Sequence, residues 1–463
     1  MTAEERINGR KIGVVGMARS GMAVARLALK HGASVFVSDA APPAGLTGQT
    51  DELSRAGIEF ETGGHTERLL SRDYLVLSPG VPLTVEILRA AAERGIPFFS
   101  ELEFASWLYR GSIIGVTGSN GKTTTASLLG EILAADGRDV RVCGNIGLPF
   151  AEVVEALTES SVAVVEVSTF QLETIADFHP HVAVILNLTP DHLDRHGTFE
   201  TYKRIKYRIT ENQTADDYFV LNRDDAESMA DDPPSRASRL YFSTGRRDGV
   251  AAFVDNGTLY VQVSDAPAAV VRCDEIRIPG PHNLQNAAAA AVVATLCEVE
   301  AATIGDVLRS FPGVEHRLEA VGTVAGVAFV NDSKATNVDS VCYALKSLPG
   351  PVHLICGGRH KGAGYDPIIA AGQNRIKGLV LIGEARDMIF EALGRSFPAR
   401  FADSLEEAVR KAFEDAVPGE TVVLSPGCAS FDMFDDFEHR GRVFKTAVQA
   451  LKNNRNSNEK VSR

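Results

Sequence analysis

Cysteine is scarce and scattered. The 463 residues hold six, Cys143, Cys273, Cys297, Cys342, Cys356 and Cys428, and none stands in a Cys-x-x-Cys pair. That spacing argues against a disulfide or zinc framework and predicts reduced, mostly buried thiols. No apolar run is long enough to span a bilayer. Positive charge is in deficit: 47 Lys and Arg against 60 Asp and Glu give a net charge of -13. A general nucleic-acid binder or membrane-surface binder is therefore not expected. Anionic substrates remain open, because a few local cations decide them. The first ten residues are polar and contain no apolar signal core, so a cytoplasmic location is expected. No short-period repeat occurs.

What is present is an ordinary globular mix, 44% hydrophobic and 23% charged, and the length suggests about three domains. The chain is organised around Gly115-Val116-Thr117-Gly118-Ser119-Asn120-Gly121-Lys122-Thr123-Thr124-Thr125. The β-branched pair Ile113-Ile114 leads in, and a helical stretch, 126–133, follows. Strand, glycine turn and helix together make a phosphate site, because a helix N-terminus offers unpaired N–H groups and the positive end of its dipole. Gly118 and Gly121 let the backbone approach phosphate oxygens, with Ser119, Asn120 and Thr124 in the same loop. Lys122 reaches the terminal phosphates, and the Thr123 hydroxyl suits Mg²⁺. The strict P-loop pattern is not met: Val116 stands where that pattern has glycine. The loop reads as a short mononucleotide form, T-G-x-N-G-K-T.

Before it, residues 1–99 read as a first α/β unit. A strand over 11–16 runs into Gly16-Met17-Ala18-Arg19-Ser20-Gly21, a helix over 22–31 follows, and a second strand over 34–38 ends at Asp39. A glycine turn with an acid about twenty residues on is the dinucleotide pattern. Ala18 replaces its middle glycine, which weakens an NAD reading and leaves a general nucleotide-diphosphate site. Residues 100–313 form the second unit, with continuous apolar strands over 113–114, 162–167 and 182–187, as a doubly covered parallel sheet requires. An irregular stretch over 231–277 follows, with Pro233-Pro234 marking a loop and short strands at 251–253 and 259–263. The alanine-rich run 286–296 is a helix on propensity. Residues 314–463 form the third unit, with strands at 327–330, 352–356, 378–382 and 421–424 and helices at 338–345, 385–393 and 405–413. The tail from 452 is polar and expected to lack structure. The fold class is thus α/β with three domains, each an open, mostly parallel sheet with flanking helices: Rossmann-like, P-loop-type, Rossmann-like.

Chemistry-bearing residues gather at strand ends. Glu166 ends a buried strand, where an acid is costly unless it holds a cation or a base, and a carboxylate beside a phosphate loop is a natural Mg²⁺ ligand. The next strand ends in Asn187-Leu188-Thr189-Pro190-Asp191-His192-Leu193-Asp194-Arg195-His196, a set of donors, acids and histidines suited to metal and phosphate. The basic run Tyr202-Lys203-Arg204-Ile205-Lys206-Tyr207-Arg208 reads by spacing as a solvated helix face. In the third unit His316-Arg317, Asn331-Asp332-Ser333-Lys334-Ala335-Thr336-Asn337, Gly357-Gly358-Arg359-His360-Lys361-Gly362 and Ser425-Pro426-Gly427-Cys428-Ala429-Ser430-Phe431-Asp432 stand at strand ends, the usual ligand edge of such a sheet.

In the order and spacing of these pieces, with Gly144-Asn145-Ile146-Gly147 and Gly280-Pro281-His282-Asn283-Leu284-Gln285-Asn286, the chain resembles the Mur ligase family over nearly its whole length. That resemblance implies an ATP-dependent amide ligase of peptidoglycan precursor synthesis working through an acyl phosphate. The stretches 331–337, 357–361 and 425–437 resemble the members that add D-glutamate to UDP-MurNAc-L-Ala. The Asp-Asn-Pro-Arg signature of the diaminopimelate- or lysine-adding members is absent. The resemblance implies nucleotide contacts from Asn283, Asn286, Arg317 and Asp332. It implies UDP-sugar contacts from Ser20, Asp39, Asn145 and His192, and D-glutamate contacts from Thr336, Lys361, Ser430 and Phe437. Thr123 and Glu166 match one Mg²⁺ site and His192 a second. A carbamylated lysine of the family falls on Lys206, with Lys203 close by in sequence. Lys122, Glu166, His192 and Lys206 are then the catalytic set, with no nucleic acid or membrane insertion, and a monomer is expected. Alternatives left open are another amide ligase of the superfamily (L-alanine-adding, or folylpolyglutamate synthase), a nucleotide-sensing binding protein, and an NAD-dependent dehydrogenase resting on the first glycine turn.

Overall fold

The computed structural model describes residues 2–461 apart from 146, 232, 234, 264, 265 and 363, and the side chains of 194 and 454–461 fall outside what it describes. Ile146, Pro234, the Asp194 side chain and the last residues of the expected tail therefore lie outside the described residues.

Three sheets form. The first orders its strands Glu59–Thr62, Ser34–Asp39, Lys11–Val15, Tyr74–Leu77, Phe98–Ser100, all parallel. The order reverses beside Lys11–Val15, so the crevice beyond that strand's C-terminal end is the natural ligand position. The second sheet has nine strands. Its parallel heart runs Tyr218–Asn222, Val182–Ile185, Ser112–Thr117, Val162–Glu166, Val140–Gly144. The irregular stretch supplies its antiparallel edge, Ala252–Asp255, Thr258–Val261 and Ala268–Arg272. The third sheet orders Glu319–Val324, Val327–Asn331, Thr421–Leu424, Val352–Gly357, Ile376–Ile382, Ala399–Phe401 and is parallel except at its first strand.

The apolar strand runs do what doubly covered sheets require. In the third sheet Leu354, Leu379 and Val423 pack into one core, while their neighbours Ile355, Val380 and Val422 pack into another on the opposite face. Period-2 alternation between two dry faces leaves no polar face to read, hence the continuous runs.

The chain packs as two compact units. One holds the first two sheets, Met1–Thr189, Glu200–Arg272 and Gln285–Val307; the other holds the third sheet together with Pro190–Phe199 and Cys273–Leu284. Within the first unit, the short helix Glu101–Ser106 is clipped down by two buried carboxylates. Glu101 Oε1 accepts the Ala151 N–H at 2.6 Å. Glu103 accepts the N–H groups of Ala176, Asp177 and Phe178 at 2.8–2.9 Å and the Trp107 indole at 2.7 Å. One expectation is corrected. The helix Phe437–Val461 continues past Lys452 into the stretch expected to lack structure; its earlier turns pack Phe444, Ala447 and Val448 into the core. The polar N-terminal segment forms the short helix Ala3–Ile7, stabilised by a capping box of Thr2 and Glu5.

Candidate active site

The strand Ser112–Thr117 ends in the glycine loop and the helix Lys122–Ala135 starts immediately after it. Gly121 caps that helix at φ 87°. A Cβ there would overlap the Asn286 carboxamide oxygen, so both backbone angle and space require glycine. Gly118 lies against Leu186, and Thr124 is buried in the first helical turn. The loop is braced from the neighbouring strand end. Asn187 receives the Asn120 N–H on its Oδ1 at 2.8 Å and returns its Nδ2 to Asn120 O at 3.0 Å. Ser119 donates its N–H to Asn187 O at 3.0 Å and its hydroxyl to Thr189 O at 2.9 Å. The Lys122 ammonium folds over the loop, donating to Gly118 O at 2.8 Å and Ser119 O at 2.9 Å. A braced loop, a helix N-terminus and a lysine laid across both are features that suit a polyphosphate.

Beside it, Glu166 is 2% exposed. The Thr123 hydroxyl donates to its Oε2 at 2.7 Å, and Asn145 Nδ2 donates to its Oε1 at 3.1 Å. A hydroxyl and a carboxylate in contact at a phosphate cradle are the hard oxygen donors that suit Mg²⁺. Helix Phe199–Tyr207 corrects the solvated-face reading: Tyr202, Lys203 and Lys206 are buried. The two lysines part company. Lys203 turns to Asp231 at 3.1 Å and Glu227 at 3.4 Å. Lys206, 2% exposed, reaches the Thr117 hydroxyl at 3.3 Å at the very strand end that opens the phosphate loop. Its ammonium lies 4.8 Å from the centre of the Tyr202 ring, whose hydroxyl in turn meets Ser119 Oγ at 2.9 Å.

In the first sheet, Asp39 holds the glycine turn closed: its carboxylate accepts the Met17 N–H at 2.6 Å and the Ala41 N–H at 2.8 Å. Ser20 is half-buried in the first turn of the helix Arg19–Lys30. Both therefore sit at the crevice that the strand order marks.

The second unit carries the remaining candidates. Asp332 is buried, accepting the Ser425 hydroxyl at 2.9 Å and the Leu318 N–H at 3.2 Å. Burial pushes its carboxyl up to about 6, against the pull of Arg317. Asn283 Nδ2 donates to Pro279 O at 2.7 Å, in the first turn of the helix Pro281–Leu296 that also bears Asn286. His192 takes a left-handed backbone, φ 53°, at the cap of a short helix. The preceding Asp191 accepts Asn337 Nδ2 at 3.2 Å. Asp191, His192, Asn337, His360 and Lys361 line one cavity of about 380 Å³. Lys361 Nζ donates to the Thr336 hydroxyl at 3.4 Å. Ser430 is buried, and Phe437 opens the last helix with its ring edge-on to His316. A larger cavity, about 830 Å³, opens along Lys203, Arg204, Tyr207 and Arg236 and includes none of these groups.

Comparison with known proteins decides the family. Three family models match in succession: the MurD N-terminal domain over residues 11–87, the Mur ligase middle domain over 116–294, and the Mur ligase, glutamate ligase domain over 316–428. The UDP-N-acetylmuramoylalanine–D-glutamate ligase of Thermoanaerobacter sp. (strain X514) is 42% identical over 451 residues, covering 96% of this chain and 99% of the relative. That of Pelotomaculum thermopropionicum is 43% identical over 446 residues, covering 96% and 98%. The chain belongs to the Mur ligase family. Solved Mur ligases share the fold at low identity. The UDP-N-acetylmuramate–alanine ligase of Thermotoga maritima aligns with a TM-score of 0.60 at 19% identity over 96% of this chain and all of that one. MurF ligase from Thermotoga maritima, solved in complex with ADP, aligns with a TM-score of 0.59 at 18% identity over 96% and 97%.

Several residues of this Mur ligase escaped sequence reading. In sequence Asn187 reads as one more donor in a polar strand-end loop; in the structure it braces the glycine loop through Asn120. Glu101 and Glu103 carry little local signal, because most of their partners are backbone N–H groups far along the chain. Arg440 sits in a charged run, Glu438-His439-Arg440, that looks solvated, yet it is 1% exposed.

Proposed function

We propose that this Mur ligase joins D-glutamate to UDP-N-acetylmuramoyl-L-alanine at the expense of ATP, releasing ADP and phosphate, as a cytoplasmic monomer. Near-full-length similarity to D-glutamate ligases supports the substrates, and the contact of Thr123 with Glu166 beside the phosphate loop is the observation that carries the chemistry. We assign residues 1–99 to UDP, 100–313 to ATP and 314–463 to the amino acid.

The L-alanine carboxylate attacks the γ-phosphorus and the bond to the β-phosphate oxygen breaks, leaving ADP. The amine of D-glutamate then attacks the acyl-phosphate carbonyl; phosphate leaves with the carbonyl–oxygen bond and the amine loses a proton. Phosphoryl transfer of this kind is governed by positioning and charge stabilisation. Lys122 serves the γ-phosphate, and the loop N–H groups of residues 118–124 hold the chain of phosphates. Thr123 and Glu166, with Lys206 as a carbamate, would hold one Mg²⁺ and His192 a second; the ion supplies positive charge to the phosphate oxygens. Ser20, Asp39 and Asn145 hold the UDP-sugar. Asn283, Asn286, Arg317 and Asp332 hold the nucleotide. Thr336, Lys361, Ser430 and Phe437 hold D-glutamate, Lys361 as cation to a carboxylate and the two hydroxyls as donors.

The test is phosphate release from ATP with Mg²⁺ and UDP-MurNAc-L-Ala, adding D-glutamate, L-glutamate, L-alanine or glycine in turn. Release with D-glutamate alone, and a product heavier by one glutamyl residue, is the expected outcome. Release driven by another amino acid overturns the substrate assignment.

A further inference from the structure

The guanidinium of Arg440 ties together the loops that bear the amino-acid candidates. Its Nε donates to Ser333 Oγ at 3.0 Å, its Nη2 to Ser333 O at 2.7 Å, and its Nη1 to Cys428 O at 3.2 Å. The same Nη1 packs on Gly358, 3.3 Å from where a Cβ would stand. Gly358 has φ +135°, and a Cβ there would also overlap Ala429 O. One side chain thus touches three strand-end loops. Each bears an amino-acid candidate within three residues of the contact: Thr336 beyond Ser333, Ser430 beyond Cys428, Lys361 beyond Gly358. Phe437, the fourth candidate, lies one turn earlier on the helix of Arg440, and its carbonyl accepts the Ser333 hydroxyl at 2.7 Å. Backbone bonds join the same loops: Gly427 N–H to Ala335 O at 2.8 Å and Arg359 N–H to Ala429 O at 2.9 Å.

A buried cation is a poor choice for stability alone. Its desolvation is costly, and a well-packed apolar side chain of similar volume often does as well. The described hydrogen bonds of Arg440 go to two carbonyls and a hydroxyl, none to a carboxylate. What a planar fork supplies that an apolar group or a lysine does not is three donors in fixed directions.

We infer that Arg440 is a positioning residue of the amino-acid pocket, whose guanidinium sets the mutual spacing of the loops carrying Thr336, Lys361 and Ser430. The inference rests on the amino-acid reading of those loops. It goes beyond that reading by making the affinity for the incoming amino acid depend on a group that does not touch it.

Arg440→Lys and Arg440→Ala are compared with wild type at saturating ATP. In Arg440→Lys the KM for D-glutamate is expected to rise about tenfold or more, since small misplacements of binding groups are felt strongly. The KM for UDP-MurNAc-L-Ala, assigned to the other unit, is expected to stay at the wild-type value, as is the melting temperature with nucleotide bound. Guanidinium chloride at millimolar concentration is expected to restore D-glutamate affinity to Arg440→Ala and to leave Arg440→Lys unchanged. An unaltered D-glutamate KM in Arg440→Lys overturns the inference. So does a parallel rise of both KM values with a fall in melting temperature and no rescue, which marks a merely structural role. Where Arg440→Ala fails to fold, Arg440→Lys alone decides. Wild-type turnover with a different amino acid contradicts the substrate assignment only, and the KM comparison is then made with that amino acid. Wild type that turns over with none overturns both.

Discussion

Thr123 Oγ1 and Glu166 Oε2 meet at 2.7 Å, one from the first turn of a helix, the other from the end of the neighbouring parallel strand. Strand pairing sets this contact: Val116 lies opposite Glu166, so the phosphate loop and the carboxylate leave the sheet side by side. The consequence is a pair of oxygen donors placed by the fold beside the glycine loop, the pair proposed to hold Mg²⁺.

Glu166→Gln keeps the shape and both hydrogen-bonding neighbours but removes the charge. Turnover is expected to fall about 10²-fold or more, as for loss of one electrostatic stabiliser, with the melting temperature near that of wild type. Steady-state phosphate release measures it, and titration with Mg²⁺ is expected to show weaker activation than in wild type. Turnover within a factor of about three would remove Glu166 from the metal site.

Lys206 and Lys203 separate by direction, so their variants should separate by effect. Lys206→Ala is expected to lose about 10²-fold in turnover, to stay inactive in high bicarbonate, and to regain activity with a short carboxylic acid that replaces a carbamate. Lys203→Met loses ion pairs with Asp231 and Glu227 that are partly exposed; a cost of up to about 1 kcal/mol in stability and little change in turnover follow. Rescue of Lys203→Met rather than Lys206→Ala would reverse the assignment.

Glu101 makes stability depend on pH. Burial raises its carboxyl from 4.5 to about 7, opposed by the N–H groups of Ala151 and Phe150. Below pH 4.5 folded and unfolded chains both hold the proton. Between there and pH 7 only the folded chain holds it, so stability falls as pH rises, then levels off. A raise of this size corresponds to about 3 kcal/mol. Glu101→Gln still accepts the Ala151 N–H and is expected to flatten this slope. Urea unfolding followed between pH 5 and pH 8 checks it, and parallel slopes in the two proteins would discount Glu101.

The strand–glycine loop–helix unit was legible because its signal is local: β-branched strand, glycines at two forced positions, Lys-Thr, helix. The three open sheets were legible because strands covered on both faces must be apolar throughout. What sequence hid was direction. The run 202–208 counts as basic, but α-helical geometry sends Lys206 toward Thr117 and Lys203 toward Asp231. Arg440 was hidden for the same reason, its partners lying 12 and 107 residues away. The grouping of Pro190–Phe199 with the third sheet rests on contacts such as Asn337 to Asp191, 146 residues apart, which no local pattern encodes.

The most direct test of an acyl-phosphate route follows oxygen. UDP-MurNAc-L-Ala labelled with ¹⁸O in its terminal carboxylate is turned over with ATP and D-glutamate, and the released phosphate is weighed by mass spectrometry. One labelled oxygen in each phosphate, with the other kept in the new amide carbonyl, is the expected result. Unlabelled phosphate would show that the carboxylate never received the phosphoryl group, and would contradict the assignment of the cradle around Lys122 to carboxylate activation.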